Sequence, residues 1–219
     1  MIKAIFFDLD GTLLDSTEDI KNGINKVLID NKFAPINNQD LEGLLGYGSF
    51  NLVKDILGNQ ANEDVINKVF DEYMEYYPKN SNIHTKPYED IMTLVKLLKA
   101  NGFLLAIASN KMQSAVSKLN DEIFGNLFDM VIGDREGVPV KPDPTMLNIV
   151  AEELELNKDE ILFIGDTEVD LKTARDANIK SVAVTWGFRT KAQVLEHNPT
   201  YLIESPLELL DLVEELNKK

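Results

Sequence analysis

Short apolar runs alternate with amphipathic helical patterns along most of this 219-residue chain. The runs are IKAIFF at 2–7, FLLAIA at 103–108, DMVI at 129–132, ILFI at 161–164 and SVAVT at 181–185. They are short, rich in Ile, Val and Phe, and bounded by Gly, Asp or Asn, so they read as buried strands. Helical patterns fall between them, at about 88–100, 111–120, 143–155, 169–177 and 206–217. Parallel strands need long crossovers, and helical crossovers cover both faces of the sheet. The alternation therefore predicts an α/β class with a parallel sheet at its centre.

Residues 16–82 break that rhythm. They read as helical at about 17–32, 39–57 and 63–77, with no strand between. The expectation is a small all-helical domain at 16–82, set into an α/β core formed by 1–15 and 83–219. Ser16 is placed to cap the first of these helices, with Asp19 reaching back. Gly43, Gly46, Gly48 and Tyr47 form a flexible patch that reads either as a helix break or as a substrate contact. His84 lies at the return from the insert and reads as a hinge or surface residue.

Composition closes several routes. With no cysteine, disulfides, thiolate metal sites and Cys nucleophiles are excluded. His84 and His197 are the only histidines and lie far apart in sequence, which excludes a multi-His metal site within the chain. A net charge of −15 is the opposite of a nucleic-acid footprint and is repelled by anionic membranes. No stretch approaches the roughly 18 apolar residues of a membrane span. Carboxylates interrupt the first apolar run, which is too short for a signal peptide. The expected location is cytoplasmic. An anionic substrate would need local positive charge, from a bound metal and a few placed lysines.

Parallel α/β sheets bind ligands beyond the carboxyl ends of their strands. Three strand ends here carry polar groups: Asp8-Leu9-Asp10-Gly11-Thr12, Ser109-Asn110-Lys111 and Gly165-Asp166-Thr167-Glu168-Val169-Asp170. Lys141, in VKPDP, opens the helix before the third. In an extended segment Asp8 and Asp10 point to one side, and Gly11 lets the chain turn. Two carboxylates facing one space repel, and burial adds to the cost. A divalent cation would offset this. Only oxygen ligands are present, which suits Mg²⁺, with Mn²⁺ also open, far better than Zn²⁺ or Cu²⁺.

FDLDGTLLDS at 7–16, IASN at 107–110, Lys141 in KPDP and GDTEVD at 165–170 resemble, in order, the four motifs of the haloacid dehalogenase-like superfamily. The stretch 16–82 looks like the cap inserted after the first motif. The nearest resemblance is to the phosphoglycolate phosphatase-like branch, which often carries DGTLxDS and a Ser/Thr-Asn-Lys second motif. PYED at 87–90 departs from that branch by lacking the glycine often found after the cap. The resemblance implies a Rossmann-like core with a helical cap. It also implies a Mg²⁺-dependent phosphatase acting on a small phosphorylated metabolite, phosphoglycolate-like or a sugar phosphate monoester.

By the same resemblance Asp8 is the nucleophile and forms an aspartyl-phosphate. The metal would be held by Asp8, Asp10 through its backbone carbonyl, and Asp166. Asp10 would protonate the leaving alkoxide and then activate water. Ser109, Asn110 and Lys141 would bind the phosphoryl group. Asp170 would orient Lys141 or hold a metal-bound water, and Gly11 and Thr12 would surround these groups. Lys111 is open between solvent and phosphate. Glu168 is expected to be exposed, and Trp186 to pack. An acid at Asp10 points to phosphoryl transfer rather than carbon–halogen cleavage. Rival readings are a phosphoglucomutase-type transfer, a pyrophosphatase or nucleotidase, and an inactive binding or regulatory protein. A signalling receiver domain fits the insert and the length poorly. The chain is expected to be a monomer or homodimer.

Overall fold

The structure, a computed structural model, describes residues 1–218. The chain opens with β1 (Ala4–Phe7) and the short β2 (Leu14–Asp15). Four helices follow: α1 (Thr17–Asp30), α2 (Asn38–Glu42), α3 (Ser49–Leu57) and α4 (Glu63–Asn80). β3 (Lys86–Pro87) returns the chain to α5 (Ile91–Ala100), β4 (Leu104–Met112), α6 (Gln113–Leu119) and β5 (Met130–Asp134). Then come α7 (Thr145–Glu153), β6 (Ile161–Gly165), α8 (Glu168–Asp176) and β7 (Lys180–Val184). The last elements are α9 (Lys191–Glu196), β8 (Tyr201–Ile203) and α10 (Glu208–Lys218).

Six strands form one parallel sheet in the order β5-β4-β1-β6-β7-β8, the α/β class expected from the alternation. β1 sits between β4 and β6, and Phe7 is in register with Ile107 on one side and Ile164 on the other. The three polar motifs therefore emerge together at one edge. The pleat sorts the strand residues to two apolar faces. Ile5, Phe7, Leu105, Ile107, Leu162 and Ile164 pack with Leu94 and Leu98 of α5 and with Leu209 and Val213 of α10. Ala4, Phe6, Ala106, Ala108 and Phe163 pack instead against Met146, Leu147 and Val150 of α7 and Ala174 of α8. Burial on both faces explains why the strands read as continuous apolar runs. Among the described residues, no helix is long and apolar enough to cross a membrane.

α1, α3 and α4 share a separate apolar cluster, built on Ile24, Leu28, Val53, Val69, Tyr73 and Tyr77. Met112, Ala115 and Phe188 from the sheet side join it. Gly23 lets α1 approach α4 closely, since a Cβ there would lie 2.9 Å from the Tyr77 ring.

Several local expectations change. The single helix expected over 39–57 is two helices, parted at 43–48, where Gly46 and Gly48 take φ of +112° and +88°. L-residues rarely adopt that conformation, so the glycines are what permits the break. β4 runs on through Ser109-Asn110-Lys111 with a register shift, so α6 starts at Gln113 rather than 111. β2, β3, α9 and the edge strand β8 were not expected. All are too short, at six residues or fewer, to show a period.

Ser16 precedes α1 but makes no side-chain cap; its Oγ donates to Asp10 Oδ1 at 2.5 Å. Asp19 does not reach back either. Its Oδ2 accepts from the backbone N–H of Ile83 (3.0 Å), His84 (3.0 Å) and Thr85 (2.8 Å), and from Thr85 Oγ1 (2.7 Å). Burial works to raise this carboxyl, but the Thr85 hydroxyl and these amides outweigh it and hold it below its ordinary range. Asp19 thus anchors the outgoing and returning chains beside the β2–β3 pair. Asp19→Ala would leave part-buried donors unmatched and is expected to lower stability by about 1 kcal/mol. Urea unfolding would show this, and an unchanged midpoint would mean that water replaces the carboxylate.

Candidate active site

Asp8 leaves the end of β1 with its side chain buried against Lys141, whose Nζ donates to Asp8 Oδ1 at 2.7 Å. The same ammonium donates to Asp170 Oδ1 at 2.7 Å, and only 2% of the Lys141 side chain is exposed. Asp170 lies in the first turn of α8, where its Oδ2 accepts from the N–H and hydroxyl of Thr167 in a capping box. Asp166, fully buried after β6, accepts from Thr12 Oγ1 at 2.9 Å and from the Phe188 N–H at 2.7 Å. One oxygen from each of Asp8, Asp166 and Asp170 lies within 4.8 Å of the others.

Two of these buried carboxyls, Asp8 and Asp166, resist ionisation. Burial pushes the Asp8 carboxyl up to about 7, with Lys141 opposing and Asp170 adding to the rise. Burial, then Asp170 and Asp8, push Asp166 well above its ordinary range. Burial also works against the Lys141 ammonium, but Asp170 and Asp8 outweigh it and raise that group. A single ammonium cannot balance three carboxylates. The oxygen-only donor set at this spacing fits a hard divalent cation of the Mg²⁺ type.

The side chains of this cluster are Asp8, Asp166 and Asp170, so Asp10, expected among the metal residues, brings no carboxylate to it. Its carboxylate turns towards Ser16 and Lys111. Lys111 is buried: Nζ donates to Asp10 Oδ1 at 2.9 Å, Asp10 Oδ2 at 3.0 Å and the Tyr77 hydroxyl at 2.6 Å. That burial excludes the solvent reading of its two, and Lys111 lines the cleft. Asn110 is similarly engaged. Its Oδ1 accepts from the Lys141 N–H at 2.7 Å, and Nδ2 donates to the carbonyls of Lys141 (2.8 Å) and Gly46 (2.9 Å). Both amide hydrogens are thereby used within the protein, and Ser109 Oγ stands beside them at the cleft. Gly11, at φ +86°, passes so close to Asp166 that a Cβ there would lie 2.3 Å from its Oδ2.

Asp8, Asp10 and Ser109 line one side of a cleft with a cavity volume of about 50 Å³. Leu44, Leu52 and Tyr73 of the helical layer line the other. Glu168 is not the exposed residue expected. It is half-buried and pairs with the buried Arg189, which sequence reading missed because nothing in WGFRT marks a long-range partner. Trp186 packs as expected and also donates Nε1–H to the Thr12 carbonyl at 3.0 Å, fixing the turn after β1.

A parallel sheet with a carboxylate cluster at the mouth of its central strands is an architecture for phosphoryl or acyl chemistry on small molecules. The family profile described as haloacid dehalogenase-like hydrolase matches residues 5–184, and the chain belongs to that family. A phosphoglycolate phosphatase of Aquifex aeolicus is 28% identical over 215 residues, 97% of each chain. Another of that name, from Neisseria gonorrhoeae, is 31% identical over 192 residues, 85% of this chain and 81% of the relative. A solved structure of a haloacid dehalogenase-like family hydrolase from Streptococcus pneumoniae superposes with a TM-score of 0.86 at 26% identity. That match covers 97% of this chain and 98% of the other.

The cluster yields a stability test. Asp8 and Asp166 have folded pKa values above the unfolded value of 3.8. The native state therefore holds protons that the unfolded chain gives up, and metal-free stability falls as pH rises from about 4 through about 7. In EDTA at pH 8, Asp166→Asn is expected to be more stable than the wild type by about 1 kcal/mol or more, with the gap narrowing towards pH 5. At a hundredfold excess over its Kd, Mg²⁺ should add about 2.7 kcal/mol to the wild type and much less to the variant. Equal Mg²⁺ gains in both proteins would place the ion elsewhere.

Proposed function

We propose that the chain is a Mg²⁺-dependent phosphatase that hydrolyses a small phosphorylated metabolite, phosphoglycolate-like or a small sugar phosphate monoester. The observation that carries this reading is the Asp8 carboxylate, fixed by Lys141 at the cleft beside two further buried carboxylates. Asp8, the Asp10 backbone carbonyl and Asp166 would hold the ion. When bound, it would neutralise the carboxylates and the phosphoryl oxygens and let one anion approach another.

Lys141 holds Asp8 Oδ1, which leaves Oδ2 to attack phosphorus. The P–O bond to the leaving group breaks as the Asp8–phosphorus bond forms, and Asp10 gives its proton to the departing alkoxide. Ser16 and Lys111 then stabilise the Asp10 carboxylate that remains. Asp10 next takes a proton from water, whose oxygen displaces Asp8 and releases inorganic phosphate. Ser109 Oγ, at the cleft, would donate to a phosphoryl oxygen. Asn110 would act by holding the Lys141 backbone from both sides rather than through its own amide.

The helices at 16–82 would form a cap over the core of 1–15 and 83–219, closing the cleft and excluding water. A cavity of about 50 Å³ has room for about three to five waters. That favours a substrate with few atoms beyond its phosphoryl group, in keeping with the names carried by the relatives.

Phosphate release from phosphoglycolate, sugar phosphates and pyrophosphate, with Mg²⁺ and with EDTA, tests the reading. Release should require the metal and vanish in Asp8→Asn. Asp10→Asn should fold normally and be slower by about 10²–10⁴. Turnover at the wild-type rate in Asp8→Asn would sink the assignment.

A further inference from the structure

The Arg189 side chain is only 7% exposed, yet it lies on a loop between β7 and α9 and touches none of the site carboxylates. Its Nε and Nη2 donate to Glu168 Oε2 at 2.8 Å and Oε1 at 2.9 Å, a two-point fork on the first residue of α8. The guanidinium also faces away from Glu168. Nη1 donates to the Glu42 carbonyl at 2.8 Å, and Nη2 to the carbonyls of Leu45 at 3.0 Å and Gly43 at 3.4 Å. These acceptors lie at the end of α2 and in the loop between α2 and α3 that lines the cleft. Asn110 Nδ2 also donates to the Gly46 carbonyl of the same loop.

A buried ion pair alone is weak support for stability, because desolvation offsets its attraction. Here the fork leaves donors over, and they go to carbonyls at and beyond the end of α2, where helical i+4 donors run out. The two residues before Arg189 bind the other side of the site. The Phe188 N–H holds Asp166 Oδ2, and the Phe188 ring lines the cleft. Gly187 is packed so tightly that a Cβ would lie 2.4 Å from Asp166 Oδ2 and 2.3 Å from the Gly11 carbonyl. One segment, 187–189, therefore touches both the carboxylate cluster and the cleft's outer wall.

We propose that Arg189 is a positioning residue that latches the 42–48 loop over the cleft, with Glu168 as its anchor, so that loop closure and the seating of Asp166 are set together. The catalytic consequence rests on the phosphatase reading above; the latch does not. An ammonium cannot reproduce a planar fork that also reaches several carbonyls, so lysine is a poor substitute.

Amide hydrogen exchange on the intact chain tests the latch without any turnover. In Arg189→Gln, exchange over 43–49 should accelerate about tenfold or more, with the amides of β1, β4 and β6 unchanged. With phosphoglycolate, KM should rise and kcat/KM should fall by up to about 10²-fold, and Arg189→Lys should restore neither quantity. Unchanged exchange over 43–49, or full recovery in Arg189→Lys, would overturn the latch. If Arg189→Gln loses protection throughout, Glu168→Gln decides. Loosening confined to 43–49 sustains the proposal, and none overturns it. Failure of phosphate release in the wild type, with the exchange pattern intact, would instead count against the phosphatase reading alone.

Discussion

The Lys141 ammonium, held between Asp8 and Asp170 with Asp166 close by, is the interaction on which the rest of the structure turns. It binds the end of β1 to the first turn of α8, two places 162 residues apart in sequence, and it does so in a nearly waterless setting. Such a charge is tolerable only if its position is fixed. Asn110 fixes it by bonding both the N–H and the carbonyl of Lys141, and the Phe163 ring lies 5.3 Å from the ammonium. The apolar strands β1, β4 and β6 set the register that brings these groups together. The fold's hydrophobic energy is thus what holds an electrostatically unfavourable cluster in place.

Crowding then dictates where side chains are forbidden. Gly165 sits against Asp170, where a Cβ would come within 2.3 Å, and Gly11 and Gly187 lie equally close to Asp166. Asp166 and Asp170 are thus packed against backbone as well as against the side chains that bond them, which leaves their oxygens little room to swing away. This is a preorganised arrangement, with its cost met during folding rather than during reaction.

The sheet and the residues at its edge were legible in the sequence because burial on both faces writes an unambiguous pattern. IKAIFF, FLLAIA and ILFI can be little else, and a polar cluster after each run marks the ligand edge. Asp8, Ser109, Lys141, Asp166 and Asp170 all lie at that edge in the structure. What was not legible depends on partners distant in sequence. Asp19 looked like part of a helix start, but the amides of 83–85 claim it. Lys111 was open between solvent and phosphate, and its bonds to Tyr77 of α4 and to Asp10 carried no signal in the sequence. Arg189 carries no local signal at all, since apart from Glu168 its acceptors are backbone carbonyls that any sequence would supply. Local pattern reports which face is apolar; it does not report which polar group meets which.

The charge inventory of the cleft bears on how the proposed reaction begins. Asp8, Asp10, Asp166 and Asp170 face Lys111 and Lys141, so full ionisation leaves two negative charges in a chain already at −15. A phosphomonoester approaching that site would be repelled, and the only local relief without an ion is protonation of the buried carboxyls. A divalent cation removes both charges at once. Binding of the ion and binding of the anion are therefore linked, each strengthening the other by the same factor. In the proposed function a cap would make that linkage stronger, since excluding water raises every electrostatic term inside the cleft. A loop held shut through its own carbonyls is suited to this role. It adds no further formal charge to the cleft, so closure tightens the field around the substrate without changing its sign.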